Sequence, residues 1–243
     1  MTTGDIDQIL TRAAPADPVD PGVLERVSRA ILPGLRPVRP LPPAPVIAAG
    51  LLLIGFAVAV AGALILGMYG IRRLSGVETA AIFTSLGLLA WLAARQGAAE
   101  MIPGSKRTLS PRLLAPVASL LLIALFAILF GGYSMEGFAS QGVPCLRAGL
   151  IHAAPVAAAA WLILRRGFVV NPVAARASAG ALAGLAGVIM LQLHCPNLRA
   201  VHLIVWHVAV IPVSGVAGAL AGALLAGRFH FSGLKRNAAE LMQ

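Results

Sequence analysis

The sequence predicts an all-α polytopic membrane protein, with six transmembrane helices behind a short cytoplasmic N-terminal tail. Three observations carry this expectation. Hydrophobic residues make up 58% of the 243 positions and charged residues only 12%, whereas a soluble domain of this size carries about a quarter charged. The apolar residues, mostly Leu, Ala, Val and Gly, come in long uncharged runs, and about 20 such residues cross a hydrocarbon core. The cations fall almost entirely between those runs.

Residues 1–45 differ from the rest. In TGDIDQILTRAA, Ile6, Ile9 and Leu10 fall at i, i+3 and i+4 behind Asp5 as a cap. Asp20 and Pro21 then read as N-cap and first position of a second helix, PGVLERVSRAIL, in which Val23, Leu24, Val27 and Ile31 share one apolar face. Helices of about three turns are marginal alone. A pair of them is expected to order on a partner surface, or else to lie loosely on membrane lipid. Residues 1–25 carry five acids against one base, and residues 26–39 carry four arginines and no acid. The front half thus suits a basic protein surface and the rear half anionic lipid. Six prolines within 33–45 make a semi-rigid spacer. No secretory leader is expected, because the first apolar run is too long for one.

The expected spans are 46–68, 79–94, 113–132, 148–164, 177–193 and 203–227. They form a transmembrane domain over 46–230, and 231–243 is a cytoplasmic C-terminal tail. The second run has Glu78 at its edge, and the fourth contains Pro155. The fifth and sixth contain AGALAGLAGV and AGALAGALLAG, in which Gly180/Gly184 and Gly218/Gly222 form GxxxG pairs. Small residues at that spacing predict close packing of these two helices.

Lys and Arg placement sets orientation. Fifteen of the nineteen lie in the two tails and the second and fourth loops; the other four are Arg72, Arg73, Arg147 and Arg199. Both tails are therefore expected in the cytoplasm of a bacterial inner membrane, with the first, third and fifth loops outside. The net charge of +10 is accounted for by this pattern, and no direct nucleic-acid contact is expected.

This orientation puts both cysteines in the periplasm, Cys145 in the third loop and Cys195 in the fifth. Four of the five histidines, His152, His194, His202 and His207, share that half. Three readings stay open: a structural disulfide or packing role, a redox-responsive or thiol-reactive pair, and a metal site using those histidines. His202 and His207 are five apart, about 140° around an α-helix, so they are not expected to chelate as a pair. No cofactor is expected beyond a metal ion acting as a signal.

No HExxH, GxSxG, Walker loop or paired intramembrane carboxylate occurs, so an enzyme is not expected. A thiol oxidoreductase would want a CxxC or quinone site, and neither is evident. The expected spans hold no Asp or Glu, which argues against proton-coupled transport. A small metal-ion or solute transporter or channel, with the four histidines at its mouth, is the alternative reading.

The segments PCLRAGLIHAAPVAAAAWLILRRG, AGALAGLAGVIMLQLHCP and HLIVWH resemble the NrsF family, integral-membrane negative regulators of extracytoplasmic-function sigma factors. The resemblance implies six helices, a cysteine in the third loop and another in an HCP segment after the fifth helix. Cys145, His194, Cys195 and Pro196 match those positions, and His202, Trp206 and His207 fit the downstream pattern. The tail is longer and richer in proline than the family pattern. The resemblance implies a membrane-anchored anti-sigma factor. Its tail would bind a sigma factor, and Cys145 and Cys195 would sense a periplasmic thiol, redox or metal signal.

Overall fold

The computed structural model describes residues 20–32, 40–102, 104–105, 110–167, 169 and 171–240. It falls into two units, one up to Pro40 and one from Leu41 onward. In the first, α1 spans Pro21–Ile31. Asp20 Oδ1 accepts the Gly22 N–H at 2.9 Å, as an N-cap should. Val23, Leu24 and Val27 are all exposed, so the apolar stripe of α1 is uncovered within its own unit. Ile6, Ile9 and Leu10 lie outside the described residues, and Ile31 is the last residue of α1.

The second unit contains α2 (Ala44–Leu66), α3 (Gly76–Ala99), α4 (Pro111–Leu129), α5 (Phe138–Leu164) and α6 (Pro172–His194). The last helix, α7, begins at Ala200–His202, passes through a π turn at Leu203–His207 and continues over Val210–Glu240. Six helices are long and apolar enough to cross a membrane: α2 to α6, and α7 from Ala200 to Leu225. No strand occurs among the described residues.

Several helices outrun their apolar cores, α3 and α5 at their starts. α3 starts at Gly76 because Ser75 and Glu78 close a capping box: Ser75 N–H donates to Glu78 Oε2 at 2.7 Å, and Glu78 N–H to Ser75 Oγ at 3.3 Å. α5 starts ten residues before the expected 148, taking in FASQGVPCLR. Pro144 forfeits one backbone hydrogen bond there, and the exposed Arg147 points away from the bundle core. A charged residue ends an apolar run without ending a helix. Cys145 is therefore in the second turn of α5, not in a loop.

α6 is the axis. About 78% of its most apolar window is buried inside the protein, against 22–33% for the other five helices, and it contacts α2, α3, α4, α5 and α7. Its run of Ala and Gly explains this: a helix surrounded by helices needs short side chains. The GxxxG pairs act as expected. A Cβ on Gly184 would lie 2.6 Å from Ile211 Cα, and one on Gly222 2.7 Å from Pro172 O. The α6 and α7 backbones touch. The outer helices instead show bare hydrophobes outward, among them Leu53, Phe56, Ile128, Leu224 and Ile65, the last 82% exposed. Apolar surface on this scale suits lipid rather than water.

The bundle has two distinct ends. At one, Ala200 N–H donates to Gly131 O (2.9 Å), and Gly70 N–H is shared by Leu193 O and His194 O (3.1 Å each). The connections after α2, α4 and α6 therefore meet there. At the other end Arg95 lies over Trp91 and Arg165 over Trp161, 6.0 and 5.4 Å from the ring centroids. Trp beside Arg at a helix end is the pattern of a lipid–water interface.

Overpacking makes the α6–α7 seam a stability test. Gly184→Val is expected to cost about 1–3 kcal/mol or more, because backbone cannot retreat as a side chain can. Thermal unfolding in detergent should show a lowered midpoint. Gly87→Ala, where a Cβ meets nothing within 4 Å, should leave the midpoint unchanged or raised.

Candidate functional site

Cys195 owes its place to the end of α6. Its N–H still donates to Leu191 O at 2.7 Å, but Pro196 cannot continue the helix. The turn after it is short and tied: Asn197 Oδ1 accepts the Arg199 N–H at 3.1 Å, and Asn197 Nδ2 donates to Gln141 Oε1 on α5 at 2.9 Å. The chain thus re-enters the bundle at Ala200 with Cys195 facing inward, only 4% exposed.

α5 brings Cys145 to the same point. The Trp206 indole lies where a Cβ of Gly142 would be, and its ring meets that of Phe138 at 5.0 Å. Only glycine leaves that notch. The contact docks the start of α7 against the start of α5, and Cys145 follows Gly142 by three positions, on the same helix face. The Cys145 and Cys195 sulfurs are 3.5 Å apart, both as free thiols.

The π turn supplies two imidazoles. Val208 N–H donates to Leu203 O at 3.1 Å, an i to i+5 bond that widens the turn. Positions five apart then come close to one face. His202 and His207 are both buried, with ring centroids 5.1 Å apart. The α-helical expectation that they could not act as a pair is thereby corrected. Pro212 is the local cause: it cannot donate to Val208 O, which takes the Ile211 N–H instead (3.0 Å), so regular helix cannot run through this stretch.

His202 Nε2 is 3.6 Å from the Cys195 sulfur. His207 Nδ1 is hydrogen-bonded to the side-chain amide of Gln192 on α6 at 3.1 Å, while its Nε2 is buried with no hydrogen-bond partner. An unmet buried group of this kind costs about 1–3 kcal/mol. One ligand atom from each of Cys145, Cys195, His202 and His207 lies within 4.8 Å of all the others. The other two candidates are elsewhere. His152 Nδ1 donates to Ala148 O (2.8 Å) with its ring against Gly62, and His194 Nδ1 donates to Gly67 O (2.8 Å), pinning the turn after α2.

Cys195 lies just beyond the α6 span, and its thiol is held below the usual range. The hydrogen bond with the Cys145 sulfur does most of this, against the opposing effect of burial, and His202 and His207 add to it. Two thiols at this distance can close to a disulfide of about 2.05 Å. Two thiolates with two imidazoles are also a donor set for borderline and soft cations.

A family model described as NrsF, negative regulator of sigma F, matches residues 33–226. The chain belongs to the NrsF family. Membership implies negative regulation of a sigma factor, and a regulator family points away from an enzyme. No curated protein and no solved structure matches the chain. The NrsF match takes in all six spans and the whole cluster; α1 precedes it.

Gln192 is a functional residue that spacing and motifs do not single out. In this NrsF protein it orients His207, and its signal was a lone amide near the end of an Ala/Gly helix. The break at 203–209 had its signal in Pro212, inside an apolar run.

The geometry makes the thiol pair self-sufficient. Diamide treatment of the purified protein should consume both thiols and give an intramolecular disulfide, read as a mobility shift on non-reducing gels. His152→Ala and His194→Ala should leave that yield unchanged. Trp206→Ala, which empties the Gly142 notch, should lower the unfolding midpoint by an amount equivalent to about 3 kcal/mol and speed maleimide labelling of Cys145.

Proposed function

We propose that this chain is a membrane-anchored anti-sigma factor of the bacterial inner membrane. Its tail sequesters an extracytoplasmic-function sigma factor, and the Cys145/Cys195 pair receives a periplasmic thiol, redox or metal signal. The observation that carries this reading is the part-buried thiol pair at 3.5 Å, joining α5 to the α6–α7 corner, in a member of a family that regulates a sigma factor negatively.

Three features support it. The connections at the cluster end carry Arg72, Arg73 and Arg199, and the great majority of the cations belong to the N-terminal tail, the opposite connections and the helix ends beside them, a pattern that by the positive-inside rule favours the cluster outside and both tails inside. The exposed Val23, Leu24 and Val27 stripe on α1 is the kind of face that docks into a partner's groove. The axis of the bundle is α6 itself, buried along its length, which leaves a conduit through the centre without a path. α1 supplies the binding face, membrane lipid surrounds the bundle, and direct contact with nucleic acid is not part of the mechanism.

Signal reception is a change at the sulfurs. An extracytoplasmic disulfide oxidant takes two electrons and two protons from the pair; its own disulfide becomes two thiols, and Cys145 and Cys195 become one disulfide. The bond pulls the start of α5 toward the α6–α7 corner. A rearrangement of the bundle changes tail availability if the two states differ by a few kcal/mol.

Deleting residues 1–45 is expected to release the sigma factor, giving full sigma-dependent reporter transcription with no stimulus. The sigma factor should co-purify with the full chain and not with the deletion. Replacing both Cys145 and Cys195 by Ser should keep repression but abolish induction by oxidant or cadmium. Unchanged induction would make the pair structural.

A further inference from the structure

We propose that the reduced cluster is a four-coordinate metal site, in which Cys145, Cys195, His202 and His207 hold one zinc(II) or cadmium(II) ion. This rests on the reading of the cluster as the place of signal reception, and it names the ligand of that place.

The distances favour it. With zinc–sulfur bonds of about 2.3 Å and zinc–nitrogen bonds of about 2.0 Å, a tetrahedron has edges of roughly 3.3–3.8 Å. The Cys145–Cys195 separation of 3.5 Å and the Cys195–His202 separation of 3.6 Å are already such edges. The widest spacing among the four ligand atoms is 4.8 Å, so closure asks about 1 Å of side-chain movement.

The second observation is independent of these distances. His207 is fully buried, and its Nε2 has no hydrogen-bond partner. Its Nδ1 is held by the Gln192 amide at 3.1 Å. The atom placed against Nδ1 is the Gln192 amide nitrogen, and Gln192 Oε1 is buried without a partner; a half-turn of the amide lets Oε1 accept the Nδ1 proton and leaves the Nε2 lone pair for a metal. Ligating histidines are oriented in this way by a carbonyl or carboxylate behind them. Gln192 is a positioning residue in this scheme. The Gln192–His207 bond has no bearing on whether the two sulfurs can form a disulfide.

Charge balance also fits a buried site. Zinc binding displaces two thiol protons to solvent, and the dication with two thiolates and two neutral imidazoles has no net charge. His202 also forms part of the wall of a small polar cleft with Ser134, Glu136, Gln141, Asn197 and Arg199. Because the sulfurs that bind the ion are those that form the disulfide, metal occupancy and the disulfide exclude one another.

The test uses the purified full chain in detergent, reduced with a phosphine and desalted after exposure to zinc chloride or cobalt(II) chloride. Expected are about one retained equivalent of zinc and, with cobalt, the intense visible bands of a four-coordinate thiolate site. Zinc should slow disulfide formation by diamide. His207→Gln and His202→Gln should each lose the zinc and the cobalt bands, yet still form the disulfide, which shows that the fold around the sulfurs survives. Absence of zinc from the unaltered protein, or equal retention by His207→Gln, overturns the inference. If zinc is absent and the cysteine pair still governs the reporter, only the metal site falls. If zinc binds through the four residues but the double Ser variant responds normally, the metal site stands and the sensory reading falls.

Discussion

Contact between the backbones of α6 and α7 is the constraint on which the rest of the structure depends. Gly184 and Gly222 let Ile211 and Pro172 approach within less than a side-chain width. Once α7 lies against α6 at that range, the chain between them has only 195–199 in which to reverse. A short reversal ending in Cys-Pro turns Cys195 back into the bundle. The same close approach puts the first turns of α7 beside the last turn of α6, where Gln192 meets His207. Dispersion and shape, not a polar attraction, therefore decide where the polar cluster forms.

The local irregularities of this end share one result. Gly142 opens a notch for Trp206, Pro196 ends α6, and Pro212 forces α7 off regular helical geometry. Each weakens a helix by local rules. Together they bring two thiols and two imidazoles from three helices or their ends into one largely buried cluster. Sites that break local rules in a coordinated way are where function is expected. At the opposite end Trp91, Arg95, Trp161 and Arg165 make an ordinary interfacial belt.

The gross architecture was legible in the sequence, because span length and charge exclusion are direct consequences of bilayer physics. The GxxxG pairs of 180/184 and 218/222 also announced their contact correctly. What the sequence hid was at the helix ends. FASQGVPCLR looked like a loop because Pro and Arg interrupt its hydrophobicity, yet backbone hydrogen bonding carries the helix through. The relation of His202 to His207 was hidden because a 100° step per residue holds only in an α-helix, and the π turn at Leu203–His207 changes the step without changing composition. Which histidines join the cysteines depends on three-dimensional register, so His152 and His194 could not be separated from the others by spacing. The tail face of Val23, Leu24 and Val27 was legible from periodicity; Ile6, Ile9 and Leu10 lie outside the described residues.

The functional reading requires that the chemical receiver and the sigma-binding tail be on opposite sides of one membrane, since neither alone transmits anything. Site-directed labelling tests this most directly. In a chain with Cys145 and Cys195 replaced by Ser, single cysteines are introduced as Ser134→Cys, at the exposed cluster end, and Ser28→Cys, on exposed α1. Intact spheroplasts are then treated with a membrane-impermeant maleimide. Labelling at position 134 in intact cells, and at position 28 only after lysis, is the result expected. Labelling at position 28 in intact cells, or protection of position 134 until lysis, would contradict it.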